Sequence, residues 1–274
     1  MVLKGALPPI GLALLLVSLG GVRLLPLAVV GGLFVAYGLL KAWPALPHEL
    51  WSSPNGTEWL LWSVAAAGLA TAFERVGLWR GRIAAGVAVA LAAVSVWLVL
   101  QKVAAAWSPV DVWLHVGGGG LLLALLAVGH RVVLARAPAG WFPAALFSVL
   151  LSVDAAVLTL GKSALLGQLC GAVAAALGAA AGTTLWKRPF ALTAADGTWL
   201  GIAHGLFVLA GVHLASLPWP AAGCALVAPL VLLLLRDGVG ATRPKTWALV
   251  ASLLVLVPLA GAVWFALGEG SEGY

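Results

Sequence analysis

The chain is a succession of long apolar runs separated by a few polar, glycine or proline residues. The runs cover about 5–22, 24–42, 58–74, 83–104, 111–130, 141–160, 164–185, 197–217, 219–235 and 246–268. Each is close to the roughly 20 residues an α-helix needs to cross a hydrocarbon core of about 30 Å. The pattern therefore predicts an all-α, polytopic transmembrane bundle of about ten helices with short loops. The break at Gly20-Gly21-Val22-Arg23 is the weakest, because one basic residue between two apolar runs also fits a single bent span, which gives nine. Nothing is left over for a soluble domain, so residues 1–274 read as one integral membrane domain, divisible into halves 1–137 and 138–274 of five helices each.

Composition agrees. A soluble chain is roughly half apolar and a quarter charged, whereas this one is 63% hydrophobic and 9% charged, with a mean hydropathy of +1.09. The net charge of +6 does not point to nucleic acid, because Lys and Arg occur in ones, twos and threes between apolar runs rather than as a patch. Cys170 and Cys224 lie inside apolar runs and read as inert thiols rather than a disulfide or metal pair.

The basic residues orient the chain. Arg23, then Arg75, Arg80 and Arg82, then Arg131 and Arg136, then Lys187 and Arg188, then Arg236, Arg243 and Lys245 fall on one side of an alternating topology. Only Lys4, Lys41, Lys102 and Lys162 fall on the other. The positive-inside rule puts the first side in the cytoplasm of a bacterial inner membrane and both termini, including the acidic tail from Glu269, outside it. The one connection with room for shape is 43–57, with Pro44, Pro47, Pro54 and Asn55-Gly56, edged by Trp43, Trp51, Trp59 and Trp62 as expected at a headgroup layer.

Small residues mark close approach. Gly167, Gly171, Gly178 and Gly182 are spaced four, seven and four and predict a helix–helix seam. Gly117–Gly120 is a run that weakens a helix by about 1 kcal/mol per residue relative to Ala, which predicts either close packing or local unwinding.

Asp154 is the sharpest chemical feature. It lies 13 residues past Trp141, about 20 Å along a helix axis, among leucines and valines. A carboxyl at that depth is a candidate for ion coordination, proton relay or pairing, against a bland alternative of hydrogen-bonded glue. On another face of that helix Ser148, Ser152, Thr159 and Ser163 form a hydroxyl stripe that lines a polar cavity or bonds its own backbone. Lys162 is expected to extend to the surface. The polar-site candidates are Asp154, His204, Ser152, Thr159 and Gln168. The segment AVLTLGKS at 156–163 matches a loose P-loop tail, but it ends an apolar helix instead of following a strand, so nucleotide binding is not expected. No HExxH, GxSxG or paired-carboxylate motif occurs within a run, which disfavours an enzyme.

Four histidines are spaced suggestively. Packed antiparallel, the fifth and eighth helices offer an outer pair, His115 with His213, and an inner pair, His130 with His204. That arrangement resembles the two-haem core of membrane b-type cytochromes, and the resemblance implies haem b on those four ligands. The spacing departs from the pattern: 15 residues separate His115 from His130, about 22 Å, and 9 separate His204 from His213, about 14 Å. His130, beside Arg131, reads as interfacial, and His204, next to Gly205, as the best functional histidine.

The preferred expectation is a transporter or permease for a small molecule or ion, built around a midplane site in the lipid bilayer. A haem-carrying redox protein and a non-catalytic membrane subunit or assembly factor are the alternatives. The size and helix count are similar to those of the drug/metabolite transporter superfamily, although none of its motifs occurs and outward termini run against its orientation.

Overall fold

The computed structural model describes residues 2–186, 191–235 and 242–268. Among them there is no strand, and ten helices of nine residues or more occur in chain order. They are α1 (Val2–Gly20), α2 (Leu25–Leu40), α3 (Gly56–Arg75), α4 (Arg82–Ala104), α5 (Gly118–Arg136), α6 (Phe142–Leu160), α7 (Ala164–Gly182), α8 (Asp196–Ala215), α9 (Trp219–Val227) and α10 (Pro244–Gly268). One-turn helices occur at Pro47–Leu50 and Pro109–Val112. Lys187, Arg188, Arg236 and the tail from Glu269, all used for orientation, lie outside the described residues.

The expected count of about ten spans is not supported. Among the described residues six helical stretches are long and apolar enough to cross a bilayer: Arg82–Ala104, Pro109–Arg136, Phe142–Leu160, Ala164–Gly182, Asp196–Ala215 and Pro244–Gly268. Ala6–Leu19, Leu25–Leu40 and Trp219–Leu234 are apolar but shorter. The 16 residues of α2 reach about 24 Å, short of a core of about 30 Å. α3 carries Glu58 in its first turn and Glu74 and Arg75 in its last. Apolar runs in the sequence do not distinguish a full span from a short helix that packs beside one. The break at Gly20 is nonetheless a turn: Gly21 has φ +67° and a short 3₁₀ segment, Gly21–Leu24, reverses the chain. α2 then runs back along α1, with Gly32 against Pro9 and Gly31 against Leu12.

The bundle is organised around α8. Every residue from Asp196 to Gly211 is buried, and α8 touches α3, α4, α5, α6, α7 and α9. A helix that is apolar all round belongs in the middle. α10 is its opposite, burying only the stripe Trp247, Ala251, Val255, Leu259, Ala262 and Ala266. Its other face exposes Leu249, Leu253, Leu256, Val257 and Trp264. An apolar outside on an apolar helix is compatible with hydrocarbon, not with water, and the chain is a multi-pass bundle of that kind.

Glycines set the closest approaches. Gly167, Gly171 and Gly178 of the predicted seam pack α7 on Ala155, Thr159 and Ser148 of α6, whereas nothing lies within 4 Å of a Cβ built on Gly182. A second seam, Gly197, Gly201 and Gly205, lies on α8. A Cβ on Gly201 would stand 2.6 Å from Ala127 Cα and 2.8 Å from Leu126 O, so the α5 and α8 backbones are in contact there. The Gly117–Gly120 run does both things expected of it: Trp113–Gly117 is a π turn, and Gly119 and Gly120 seat α5 on Val96 and Ala93 of α4. The 43–57 connection is held by Glu58, which accepts from Tyr37 Oη (3.0 Å), Ala45 N (2.9 Å) and Asn55 Nδ2 (3.1 Å).

Because Gly201 meets backbone and not a movable side chain, Gly201→Ala is expected to destabilise the detergent-solubilised protein by about 1–3 kcal/mol. Gly223→Ala, in open space on α9, is expected to be neutral or to stabilise by up to about 1 kcal/mol. Equal melting temperatures for the two variants would show that the α5–α8 contact is not as tight as drawn.

Candidate functional site

Asp154 reaches the interior because it belongs to the buried stripe of α6, with Phe147, Leu150, Leu151, Val157 and Leu158. That stripe faces α8 and brings the carboxyl to His204, with Asp154 Oδ2 3.2 Å from His204 Nε2 and both side chains essentially inaccessible. The two atoms are within reach but off the line of a hydrogen bond. Both carboxyl oxygens of Asp154 therefore lack an aligned partner, and the His204 ring has only the backbone carbonyl of Ala225 beside it.

His130 joins them from α5. It is fully buried, and its ring centroid is 5.6 Å from that of His204 and 5.3 Å from Phe147. Its Nδ1 lies 2.7 Å from Leu126 O. A carbonyl can only accept, so Nδ1 carries the hydrogen, and in the neutral ring Nε2 is a bare acceptor. That atom is also without a partner.

α9 contributes a backbone group. Pro229 has no N–H to give to the carbonyl of Ala225, which accepts from Ala228 N (3.2 Å) and stands within hydrogen-bond reach of the His204 ring. The ninth apolar segment breaks there, with α9 ending at Val227 and a 3₁₀ turn following at Leu230–Leu234. Discontinuous helices beside a buried polar site are a recurrent device of transport proteins.

The remaining polar candidates are elsewhere. Ser152 and Thr159 are exposed, and their hydroxyls donate to the carbonyls one turn back, Ser148 and Ala155, at 2.8 Å each. Ser148 donates across to Ala174 O on α7 at 2.7 Å. Thr159 and Gln168 line a lateral groove of about 500 Å3 with Ala6, Gly167 and Gly171. Lys162 is exposed in the α6–α7 turn.

The four haem candidates do pair as expected, His115 with His213 (centroids 5.1 Å) and His130 with His204. A haem needs its whole macrocycle between two axial rings. Here the paired rings touch, Phe147 packs on the inner pair, and Trp107 and Trp219 flank the outer one. The residues do not fit haem b. Among the described residues no three His, Cys, Asp or Glu side chains converge on a metal position either.

One feature near this site has no signal in the sequence. Arg131 forms a two-pronged pair with Glu74 (2.7 Å to each oxygen) and donates to Thr198 Oγ1 at 2.9 Å. Arg75 pairs with Asp196, whose carboxylate also accepts from Thr193 N (2.7 Å), Thr193 Oγ1 (2.9 Å) and Trp199 Nε1 (3.3 Å). These pairs tie α3, α5 and α8 together at one end of the bundle. Charges at the ends of apolar runs are ordinary, so the sequence does not tell these four from solvated ones.

Comparison of the chain with protein-family models, with curated proteins and with solved structures finds no match.

Removing one member of a partly buried pair leaves the other charge without its partner, at a cost below the about 3–5 kcal/mol of a fully buried pair. Glu74→Ala is accordingly expected to lower thermal stability, and Glu74→Ala with Arg131→Ala together to recover part of the loss. A double variant less stable than the sum of the two single changes would contradict this.

Proposed function

We propose that the chain is a proton-coupled transporter of a small molecule or ion, with Asp154, His204 and His130 as its proton-binding site. The observation that carries this is the fully buried Asp154–His204 pair, whose polar atoms are close and yet unsaturated. An ionised Asp at the membrane centre costs roughly 2.5–3.5 kcal/mol on insertion scales. The carboxyl thus either holds a proton or shares one with an imidazole 3.2 Å away, and His130 Nε2 is a further acceptor within the same cluster. Groups that serve only as glue are normally saturated, as Ser148 is.

In this proposal the end with Arg75, Arg80, Arg82, Arg131 and Arg136 faces the cytoplasm of a bacterial inner membrane and both termini face outward.

Proteoliposomes with an internal pH-sensitive dye test the site. Asp154→Asn is expected to insert and fold with nearly unchanged melting temperature while abolishing proton flux. Asp154→Leu is expected to abolish the flux as well, since Leu has no group that binds a proton. A more stable Leu variant with unchanged flux would sink the assignment. Orientation is tested separately by fusing compartment-specific reporters after Arg82 and Arg136, where cytoplasmic signals are expected. Periplasmic signals at both positions reverse the topology.

A further inference from the structure

We propose that the end of the bundle opposite the ion pairs carries a two-histidine site for a late first-row divalent cation, copper(II) or zinc(II), formed by His115 and His213. This does not rest on the transport reading, since it uses neither Asp154 nor its neighbours.

The two residues come from different elements that hold them firmly. His213 is in the last turn of α8, where Ser216 adopts the left-handed conformation (φ +58°) and Leu217 N closes the turn on Gly211 O at 2.9 Å. His115 sits within the π turn Trp113–Gly117 that precedes α5. Such widened turns are rare and concentrate at functional sites, because the extra residue redirects a side chain.

Their ring centroids are 5.1 Å apart with planes at 75°. Two imidazoles that share a tetrahedral ion through nitrogen bonds of about 2.0–2.1 Å place their centroids roughly 5 Å apart. The observed separation admits an ion held between the two rings, whereas it is too short for a haem. Imidazole nitrogen is a preferred donor for copper, nickel and zinc.

Neither ring is otherwise engaged. His130 spends its Nδ1 on a carbonyl, but neither His115 nor His213 has a hydrogen bond to any described residue, and both are only partly buried. Their nitrogens are open to water, which supplies the remaining ligands. Trp107 lies 4.9 and 5.3 Å from the two rings, and Trp219 lies 6.1 and 5.5 Å from them. With an indole on either side, the site has two protein ligands and exchangeable waters, which is the make-up of a reversible site and not of a structural one.

The flanking indoles supply the readout, since copper(II) quenches tryptophan emission at contact distance. The full chain, purified in detergent and stripped with chelator, is titrated with copper(II). One saturable equivalent of quenching is expected, reversed by excess zinc(II), and weakened at least tenfold in both His115→Asn and His213→Asn. Zinc(II) is also expected to raise the melting temperature of the unaltered protein and not that of either variant, as binding to the native state requires. Quenching that is unchanged in either variant, or that never saturates, overturns the proposal. Should a variant fail to fold, the paramagnetic resonance spectrum of copper(II) on the unaltered protein decides: coupling to two imidazole nitrogens supports the site, and coupling to one or none overturns it.

Discussion

The structure depends above all on the backbone contact between α5 and α8. Gly197, Gly201 and Gly205 remove three side chains from one face of α8, and the α5 backbone from Leu126 to Arg131 lies directly on that face. Without an apolar driving force between helices inside lipid, such close packing is a main source of cohesion. It also sets a register. With the helices antiparallel, Arg131 comes level with Gly197 and Thr198 and His115 with His213, while the His130 ring reaches along the seam to that of His204. Three chemically distinct layers thus follow from one seam, and a shift of one residue along it would separate all of them.

The middle position of α8 has a cost that the inner layer offsets. A helix enclosed on every side has no polar face on which to leave Asp196 in water, so its carboxylate is neutralised by Arg75 and saturated by Thr193 and Trp199. Arg131 and Glu74 are treated alike, with both guanidinium prongs used. Buried pairs of this sort add little net stability but punish any alternative packing. They fix where α3, α5 and α8 meet.

Much of the fold was legible in the sequence, and the failures have identifiable causes. The runs 83–104, 141–160 and 197–217 agree with α4, α6 and α8 within about two residues, because apolar length is a direct demand of the bilayer. Span number was overestimated because α2 and the broken α9 segment are as apolar as full spans and differ only in length and in Pro229. The Gly167–Gly178 seam was visible as spacing, while the more consequential Gly197–Gly205 seam was passed over, since glycines at fourfold spacing say nothing of their partner. The two histidine pairings followed from antiparallel geometry alone. The 15-against-9 mismatch in their spacing was a true warning against haem, and the π turn at His115 and long side chains accommodate it without one. Glu74 and Asp196 were invisible as site residues because helix-end charges are usually solvated.

Two aspartates buried in one chain offer an internal comparison. Asp196 is saturated: Arg75 neutralises it, and a backbone amide, a hydroxyl and an indole N–H complete its shell. This is how a membrane bundle treats a carboxylate that holds helices together. Asp154 is as deeply buried, yet its neighbours are an imidazole at 3.2 Å off the hydrogen-bond line and, beyond it, a second imidazole with a bare nitrogen. Every one of these groups can exist with or without a proton, and none is saturated in a single protonation state. Selection for stability alone removes unsatisfied buried polar atoms, because each costs about 1–3 kcal/mol. The two Asp154 oxygens and His130 Nε2 are such atoms, two helical turns along α8 from a fully satisfied aspartate, and this contrast is the ground on which the proposed proton site stands.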